Sequence, residues 1–335
     1  MARPFPAPSQ PHSIVVALGG NALLPPDEHG DIHQQFAHTR ESLEPVVELA
    51  RAGWRIALVH GNGPQIGDEL LRNELARGRL PPLPLGVLVA ATAGWIGYMI
   101  QQSLQNALER AGVTRSVVTL LTQVLVDPDD PASRDPVKPV GRLLDRDHAL
   151  ALERELGWVV GEVQGGWRRL APSPRPLAIV EREEIRRLLE AGTIVIAAGG
   201  GGTPVYRDPV LGLEGLDGVV DKDRAAEVLA RDIGAEVLLI LTNVEGVYRG
   251  FGRPDAELLR RLTASEAEAL LAAGELGKGS MAPKVEAAVS FVRHGGRRAI
   301  ITRLDLGWPA VRGEAGTEIV PDAARTPSDD PNTCD

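Results

Sequence analysis

Two lysines and the aspartates beside them occur where they could bind a phosphate group. Asp221-Lys222-Asp223 opens a predicted helix over Arg224–Ile233, and Lys284 begins another over Val285–His294. An aspartate in the first turn stabilises a helix end by about 0.5–1 kcal/mol. A lysine there opposes the helix dipole, so it is either solvated or paired with a bound anion. Lys138, in a loop-like stretch, is a further cationic candidate, although loop lysines are usually solvated.

Four glycine-rich turns could supply the backbone amides that such an anion needs. They are Leu18–Leu23 with Gly19, Gly20 and Asn21, His60–Gln65 with Gly61, Asn62 and Gly63, Gly199–Gly202 with Gly200 and Gly201, and Gly277–Ser280. Turns of this kind expose N–H groups at the positive end of a helix dipole, and glycine allows close approach to a phosphate. A single turn between a strand and a helix often contains glycine only because the turn is tight. Several turns at the same ends of parallel strands would line one crevice.

Neither common nucleotide-binding motif fits these turns. Gly61-Asn62-Gly63 followed by Gly67 is one residue longer than the dinucleotide fingerprint, and Gly277-Lys278 has Ala272 where a Walker A loop requires glycine. No Ser–His–Asp group, metal-type Cys/His cluster or catalytic cysteine is evident. His60 is the only histidine at a glycine turn, and it could be a ligand, a base or a structural residue at a strand end. A protein-held metal site is not predicted.

Alternating strands and helices would position these residues. Six nearly all-apolar runs predict buried parallel strands: Ile14–Leu18, Arg55–His60, Ser116–Thr122, Thr193–Ala198, Glu236–Thr242 and Arg298–Thr302. Apolar spacing near 3.6 predicts helices over Glu41–Ala52, Gln65–Arg77, Arg182–Ala191, Arg224–Ile233, Ser265–Ala273 and Val285–His294. The order predicts an α/β fold, an open αβα sandwich around a mostly parallel sheet.

The stretch from about Asp127 to Arg175 interrupts the alternation of strands and helices. It is rich in proline, glycine, arginine and aspartate, and it predicts a protruding lid subdomain or, alternatively, a surface insertion without a role. Val126–Asp135 is expected to be a long loop, and Trp158–Val163 with Gly166–Leu170 a hairpin. The uncharged run Leu80–Gln105 predicts a buried helix rather than a membrane span, because it contains proline, glycine, threonine and glutamine.

Composition excludes several classes of function. The 335 residues are 43 % hydrophobic, as in globular proteins, and the formal net charge of −9 disfavours general binding of nucleic acid. The single cysteine, Cys334, excludes an internal disulfide framework and fits a reducing compartment, so we expect a cytoplasmic protein without a membrane association. The proline-rich start lacks the apolar region of a signal peptide.

Taken together, the motifs resemble the carbamate kinase branch of the amino-acid-kinase superfamily. The similar blocks, in the expected order over roughly residues 14 to 320, are Ala17–Leu23, His60–Gln65, Gly94–Tyr98, Lys138–Gly141, Pro172–Pro174, Gly199–Gly202, Asp221–Asp223, Leu241–Tyr248 and Gly279–Val285. The blocks around Asn62 and Lys284 are specific to this branch, whereas other members of the superfamily share looser versions.

The resemblance implies an architecture and a reaction. The reaction is reversible phosphoryl transfer between carbamoyl phosphate and ADP, with Mg²⁺ and a homodimer. A disordered arm over 1–12 would precede an N-terminal lobe over 13–215 that binds carbamoyl phosphate and carries the lid at about 127–175. A nucleotide-binding C-terminal lobe would span 216–321, with a disordered tail over 322–335.

The resemblance also assigns roles to residues. Lys222 and Lys284 would neutralise the transferred phosphoryl group, Asp223 would orient them, and Lys138 would move in from the lid. Carbamoyl phosphate would contact Gly19, Gly20, Asn21, Gly61, Asn62, Gly63, Gly200 and Gly201. The nucleotide would lie near Thr242, Asn243, Tyr248 and Met281.

Some positions depart from the pattern of this branch. Ala93 replaces a glutamine, Asn243 and Glu245 replace two aspartates, and Arg142-Leu143-Leu144 replaces a proline–aromatic continuation. These changes could alter contacts with Mg²⁺, ribose or the lid. Two alternatives therefore stay open: a sister kinase of another acyl or alkyl phosphate, such as acetylglutamate or isopentenyl phosphate, and a nucleotide-binding regulator without catalysis.

Overall fold

A computed structural model of the chain describes residues 12–19, 30–163, 165–276 and 281–322, apart from the side chain of Arg142. Gly20, Asn21 and the Gly277–Ser280 turn lie outside these ranges, as do nearly all of the predicted arm and tail. In the described part, no helix combines the length and the apolar character needed to cross a membrane.

Strands and helices alternate through most of the described chain. The strands are β1 (Ser13–Leu18), β2 (Arg55–His60), β3 (Val117–Thr119), β4 (Gln123–Val126), β5 (Lys138–Leu144), β6 (Val159–Val163), β7 (Gly166–Ala171), β8 (Pro176–Ile179), β9 (Ile194–Ile196), β10 (Thr203–Asp208), β11 (Gly212–Gly215), β12 (Val237–Thr242), β13 (Tyr248–Arg249), β14 (Glu257–Leu258), β15 (Arg261–Thr263), β16 (Arg298–Arg303) and β17 (Thr317–Val320). The helices are α1 (Ile32–Ser42), α2 (Glu44–Arg51), α3 (Gly63–Leu75), α4 (Leu85–Arg110), α5 (Pro131–Arg134), α6 (Arg146–Leu156), α7 (Arg182–Glu190), α8 (Lys222–Asp232), α9 (Ala264–Ala272), α10 (Met281–Arg293) and α11 (Gly307–Val311).

The main sheet has the strand order β15-β17-β16-β12-β1-β2-β9-β3. All of its pairs are parallel except β16 with β17. Successive side chains of β1 point to opposite faces: Val15 and Ala17 pack in one buried cluster with α8 and α10, and Val16 and Leu18 in another with α2 and α4. Both faces are therefore covered, which explains the apolar strands and gives the αβα sandwich that the sequence predicts.

All six predicted strands are present, with ends that differ by up to three residues. The predicted helix over Glu41–Ala52 is wrong as one element, because α1 ends at Ser42 and α2 begins at Glu44. Pro45 lies in the first turn of α2, where a missing N–H is tolerated, but it could not continue α1 without breaking the helix. The predicted buried helix exists as α4, which begins at Leu85 rather than Leu80 and ends at Arg110 rather than Gln105.

The described residues also form three smaller sheets. One has the order β11-β10-β4-β8, one is the antiparallel pair β13-β14, and one, within the predicted lid, has the order β5-β7-β6. The predicted hairpin is confirmed as the antiparallel pair β6–β7, with Val163 opposite Gly166. The expected long loop over Val126–Asp135 is partly wrong, because it contains α5, whose first turn is capped by the Asp130 side chain.

Candidate active site

The carboxyl ends of the central strands meet at one edge of the main sheet. The register pairs Leu18 of β1 with His60 of β2 and with Leu241 of β12. Gly19, Gly61 and Thr242 follow directly at that edge, where open α/β sheets bind ligands. The Gly61 N–H donates to the Leu18 carbonyl over 3.1 Å, so this amide is already engaged.

Two lysines from different helices share one buried carboxylate at this edge. The Lys222 Nζ donates to Asp223 Oδ1 at 2.5 Å, and the Lys284 Nζ donates to Asp223 Oδ2 at 3.1 Å. Lys222 begins α8, and Lys284 lies in the first turn of α10, which packs against α8. Asp223 is 4 % exposed and Lys284 is 8 % exposed. The structure therefore brings together the three residues that the sequence singled out.

The charges of the two lysines keep the Asp223 carboxylate ionised. Burial is the largest influence on the Asp223 carboxyl and opposes its ionisation, but the charges of Lys222 and Lys284 lower its pKa below the ordinary value. Two ammonium groups around one carboxylate leave an excess positive charge. An anion placed between the lysines would be attracted to that charge in surroundings largely screened from water.

Lys138 reaches the same region from the small sheet of the predicted lid. It is the first residue of β5, and its Nζ donates to Asp221 Oδ2. Asp221 is the N-cap of α8, and its Oδ1 accepts from the amides of Asp223 and Arg224 at 2.9 and 3.3 Å. Burial is the largest single influence on the Asp221 carboxyl and raises its pKa, but the charge and hydrogen bond of Lys138, the charge of Lys222 and the Arg224 amide together hold the pKa well below its usual range. All three candidate lysines thus lie near the start of α8.

The second glycine turn is fixed by a buried hydrogen bond. The Asn62 Nδ2 donates to Thr92 Oγ1 at 2.9 Å, and Thr92 in turn donates to the Leu88 and Val89 carbonyls of α4. Gly63 is the first residue of α3, and no side chain of the described residues caps that helix. The N-terminus of α3 therefore retains the backbone donors that an anion could use.

The third glycine turn is tightly packed against the second. Gly200 and Gly201 have φ of +68° and +96°, a region that favours glycine. A Cβ at Gly200 would collide with the Asn62 carboxamide, and one at Gly201 would lie 2.8 Å from the carbonyl carbon of Val220. The Gly201 N–H also donates to the Ala198 carbonyl at 2.9 Å. These two glycines have a structural reason to be glycine whether or not they touch a ligand.

His60 is completely buried beneath the turns. Burial lowers its pKa to about 4, the backbone groups of Gly61 and Ala93 oppose the shift in part, and the charge of Lys222 adds to it. Its Nδ1 lies 3.0 Å from the Gly61 carbonyl, whereas Nε2 lacks a well-aligned hydrogen-bond partner among the described residues. A neutral ring with this pKa is better suited to packing than to taking a proton at neutral pH.

The predicted nucleotide-binding residues lie at the end of β12, in the chain that follows it and at the start of α10. Thr242 ends the strand, Asn243 is exposed, and Tyr248 contacts Phe251 with ring centroids 5.7 Å apart. Met281 begins α10 and packs against the core that lies beneath α8. Close by, Glu245, one of the atypical residues, pairs with Arg260 at 3.0 Å.

Sequence reasoning missed two residues that shape the site. Thr92 positions Asn62 from 30 residues away, and Asp221, read only as a helix cap, also binds the lid lysine. The doubled aspartate around Lys222 was the available signal for Asp221, whereas Thr92 gave none. No group of three His, Cys, Asp or Glu side chains suited to a metal occurs within the described ranges.

Comparisons with known proteins agree with this geometry. Residues 13–303 match the model of the amino acid kinase family. The chain is 43 % identical to a carbamate kinase of Pyrococcus horikoshii, over 93 % of this chain and all of that one, and 47 % identical to a carbamate kinase of Halobacterium salinarum, over 92 % and 98 %. A solved carbamate kinase from Giardia lamblia bound to AMP-PNP superposes with a TM-score of 0.86 at 38 % identity, over 93 % of this chain and 99 % of that chain.

Proposed function

The chain belongs to the carbamate kinase branch of the amino acid kinase family, and from this premise we propose that it catalyses reversible phosphoryl transfer between carbamoyl phosphate and ADP. The products would be ATP and carbamate, which yields ammonia and CO2. The observation that carries the proposal is the buried arrangement of Lys222 and Lys284 on the two oxygens of Asp223.

This arrangement suits the chemistry of phosphoryl transfer. Such reactions need alignment and neutralisation of charge more than covalent help from the protein. In the proposed reaction, the excess positive charge of Lys222 and Lys284 stabilises the phosphoryl oxygens as they pass between carbamate and ADP, and Asp223 positions both lysines. Carbamate is already anionic, so its oxygen needs no general base. The buried, neutral His60 is consistent with such a site.

The glycine turns would hold the carbamoyl phosphate. We assign this contact to Gly19, Gly20, Asn21, Gly61, Asn62, Gly63, Gly200 and Gly201. No described side chain caps α3, so backbone N–H groups at its start, such as that of Gly63, would donate to the ligand. The amides of Gly61 and Gly201 already donate to carbonyls, so these two glycines would serve by letting the ligand approach the backbone closely. Lys138 would complete the site from the lid at about 127–175.

The nucleotide would bind at the end of β12, near Thr242, Asn243, Tyr248 and Met281. This places the carbamoyl phosphate in the lobe over 13–215 and the nucleotide in the lobe over 216–321. Mg²⁺ would enter with the nucleotide, held by phosphate oxygens and water. The Asp221 and Asp223 carboxylates do not fit a resident metal site, because ammonium groups already pair with Asp221 Oδ2 and with both Asp223 oxygens.

We also propose a cytoplasmic homodimer. Among the described residues, no strand pairs with the outer side of the edge strand β3 of the main sheet, and Tyr98 and Leu121 beside it are 58 % and 56 % exposed. Edge strands and clustered exposed apolar side chains are commonly covered by a second subunit. The single cysteine, Cys334, fits a reducing compartment.

The experiment that tests the proposal is ATP formation from ADP, Mg²⁺ and carbamoyl phosphate, with acetyl phosphate as the matched control. Rapid ATP formation only with carbamoyl phosphate supports the assignment. ATP formation from a larger acyl phosphate instead would identify a sister kinase. Binding of ADP without turnover of any phosphate donor would identify a regulator.

A further inference from the structure

Both carboxylate oxygens of Asp221 accept hydrogen bonds, and the two oxygens have different partners. Oδ1 caps α8 by accepting from the Asp223 and Arg224 amides, while Oδ2 accepts from the Lys138 ammonium. The residues of the second pair are 83 positions apart in the chain. One belongs to the small sheet β5-β7-β6, and the other begins the helix that carries Lys222.

The surroundings of this pair make it more than a surface contact. The Asp221 side chain is 14 % exposed, and the Lys138 side chain is 36 % exposed. Nearby, the Val219 amide donates to the Pro172 carbonyl at 3.0 Å, so the segment before Asp221 is tied to the chain just after β7. The pair therefore lies where the small sheet meets the start of α8.

The charges follow a simple pattern around the start of α8. Asp223 forms ion pairs with Lys222 and Lys284, and Asp221 forms one with Lys138. Three ammonium groups are thus positioned by two carboxylates on alternate residues of one helix start. Without the Asp221 charge, Lys138 would approach a site that already carries excess positive charge, and repulsion from Lys222 would disfavour it.

We propose that Asp221 is a positioning residue that holds the lid lysine Lys138 over the phosphoryl site and keeps the small sheet β5-β7-β6 against the start of α8. Asp221 acts through Lys138 and contacts no reacting atom. The part of this proposal that concerns catalysis rests on the proposed function, whereas the part that concerns the small sheet does not.

The substitution Asp221→Asn separates the two duties of the residue. Asparagine caps helices about as well as aspartate, so the start of α8 is expected to survive. Its amide carries no charge and cannot hold an ammonium group in the same way. Asp145→Asn is the matched control, because Asp145 caps α6 through the His148 amide and pairs with no lysine among the described contacts.

The first measurement is hydrogen exchange of the ligand-free protein. We expect the amides of β5 and β7 to exchange about 2- to 5-fold faster in Asp221→Asn and equally so in Lys138→Met, a range that matches the loss of one partly exposed ion pair. Asp145→Asn should leave these rates unchanged. Unchanged rates in Asp221→Asn would overturn the proposal, and this result would not depend on what the enzyme phosphorylates.

The second measurement is a double-mutant cycle on the rate of ATP formation. Lys138→Met should lower kcat about 100-fold and Asp221→Asn about 10- to 100-fold, since a misplaced group costs about as much as an absent one. In the Lys138→Met background, Asp221→Asn should lower kcat less than about 2-fold further, because its partner is already gone. If Asp221→Asn lowered kcat as much in the Lys138→Met background as in the wild type, the positioning role would be overturned. The Asp221 charge would then act on Lys222 rather than on Lys138.

Discussion

Replacing Asp223 with asparagine should separate the two lysines that it holds. The side chain is 4 % exposed and accepts from Lys222 and Lys284, so the variant leaves two buried ammonium groups facing a neutral amide. Removing one partner of a buried ion pair typically destabilises a protein by about 3–5 kcal/mol. We expect a loss near the lower end of this range, about 3 kcal/mol, because the Lys222 and Lys284 side chains keep a small exposure through which water can reach the ammonium groups.

Activity should fall further than stability. The variant keeps the shape of the side chain but no longer aligns the lysines, so kcat should drop by about 100-fold or more. Inorganic phosphate should restore part of the lost stability, because it can replace the missing negative charge between the lysines. Urea unfolding with and without phosphate, and steady-state ATP formation, provide the measurements.

The matched control is Glu268→Gln, which removes an exposed ion pair with Arg293. This change should leave both stability and activity nearly unchanged, because exposed pairs contribute little. Near-normal stability and turnover of Asp223→Asn would refute the view that one carboxylate positions both lysines. A loss of stability that phosphate does not reverse would refute the anion site between them.

Three further outcomes follow from the same geometry. Lys284→Ala should lower kcat by orders of magnitude with the circular dichroism spectrum unchanged, and a near-normal rate would remove Lys284 from the reaction. The pKa of His60 is about 4 in the folded protein and 6.5 in the unfolded protein, so the unfolded state binds more protons between these pH values. The free energy of unfolding should therefore fall by about 3 kcal/mol as the pH drops from about 6.5 to 4. Urea unfolding of His60→Gln should lack most of that decrease, and a wild-type decrease in this variant would contradict the buried neutral ring. Gly200→Ala should destabilise the protein by about 2–3 kcal/mol and raise KM for carbamoyl phosphate, because strain at φ +68° adds to a collision with Asn62. Gly234→Ala has the same φ and open space around it, so an equal loss there would show that the collision contributes nothing.

The fold was largely readable from the sequence because its strands are buried on both faces. Uninterrupted runs of Val, Ile and Leu, such as Val237–Thr242, are typical of such strands when amphipathic helices alternate with them along the chain. Short or mixed elements could not be predicted in this way. Strand β15 has three residues, and β17 pairs antiparallel through contacts that no local pattern encodes.

The site was readable in part for a similar reason. Lysines at helix starts are locally anomalous, so Lys222 and Lys284 could be selected, but their shared partner is set by the packing of α8 on α10 across 61 residues. The same applies to Asn62, whose orientation depends on Thr92 in α4. The two aspartates around Lys222 drew attention to Asp221, but its contact with Lys138, 83 positions away, depends on where the small sheet β5-β7-β6 meets the start of α8.

The most direct test of the central claim is a single-turnover experiment with carbamoyl phosphate labelled in its phosphoryl group. Enzyme in excess, saturated with ADP and Mg²⁺, is mixed with the labelled compound and quenched at short times. The proposed reaction predicts rapid transfer of the label to the γ-phosphate of ATP, and loss of this step in Lys222→Met and Lys284→Met. Label that stays in carbamoyl phosphate with the wild-type enzyme, or equal transfer by the lysine variants, would contradict it.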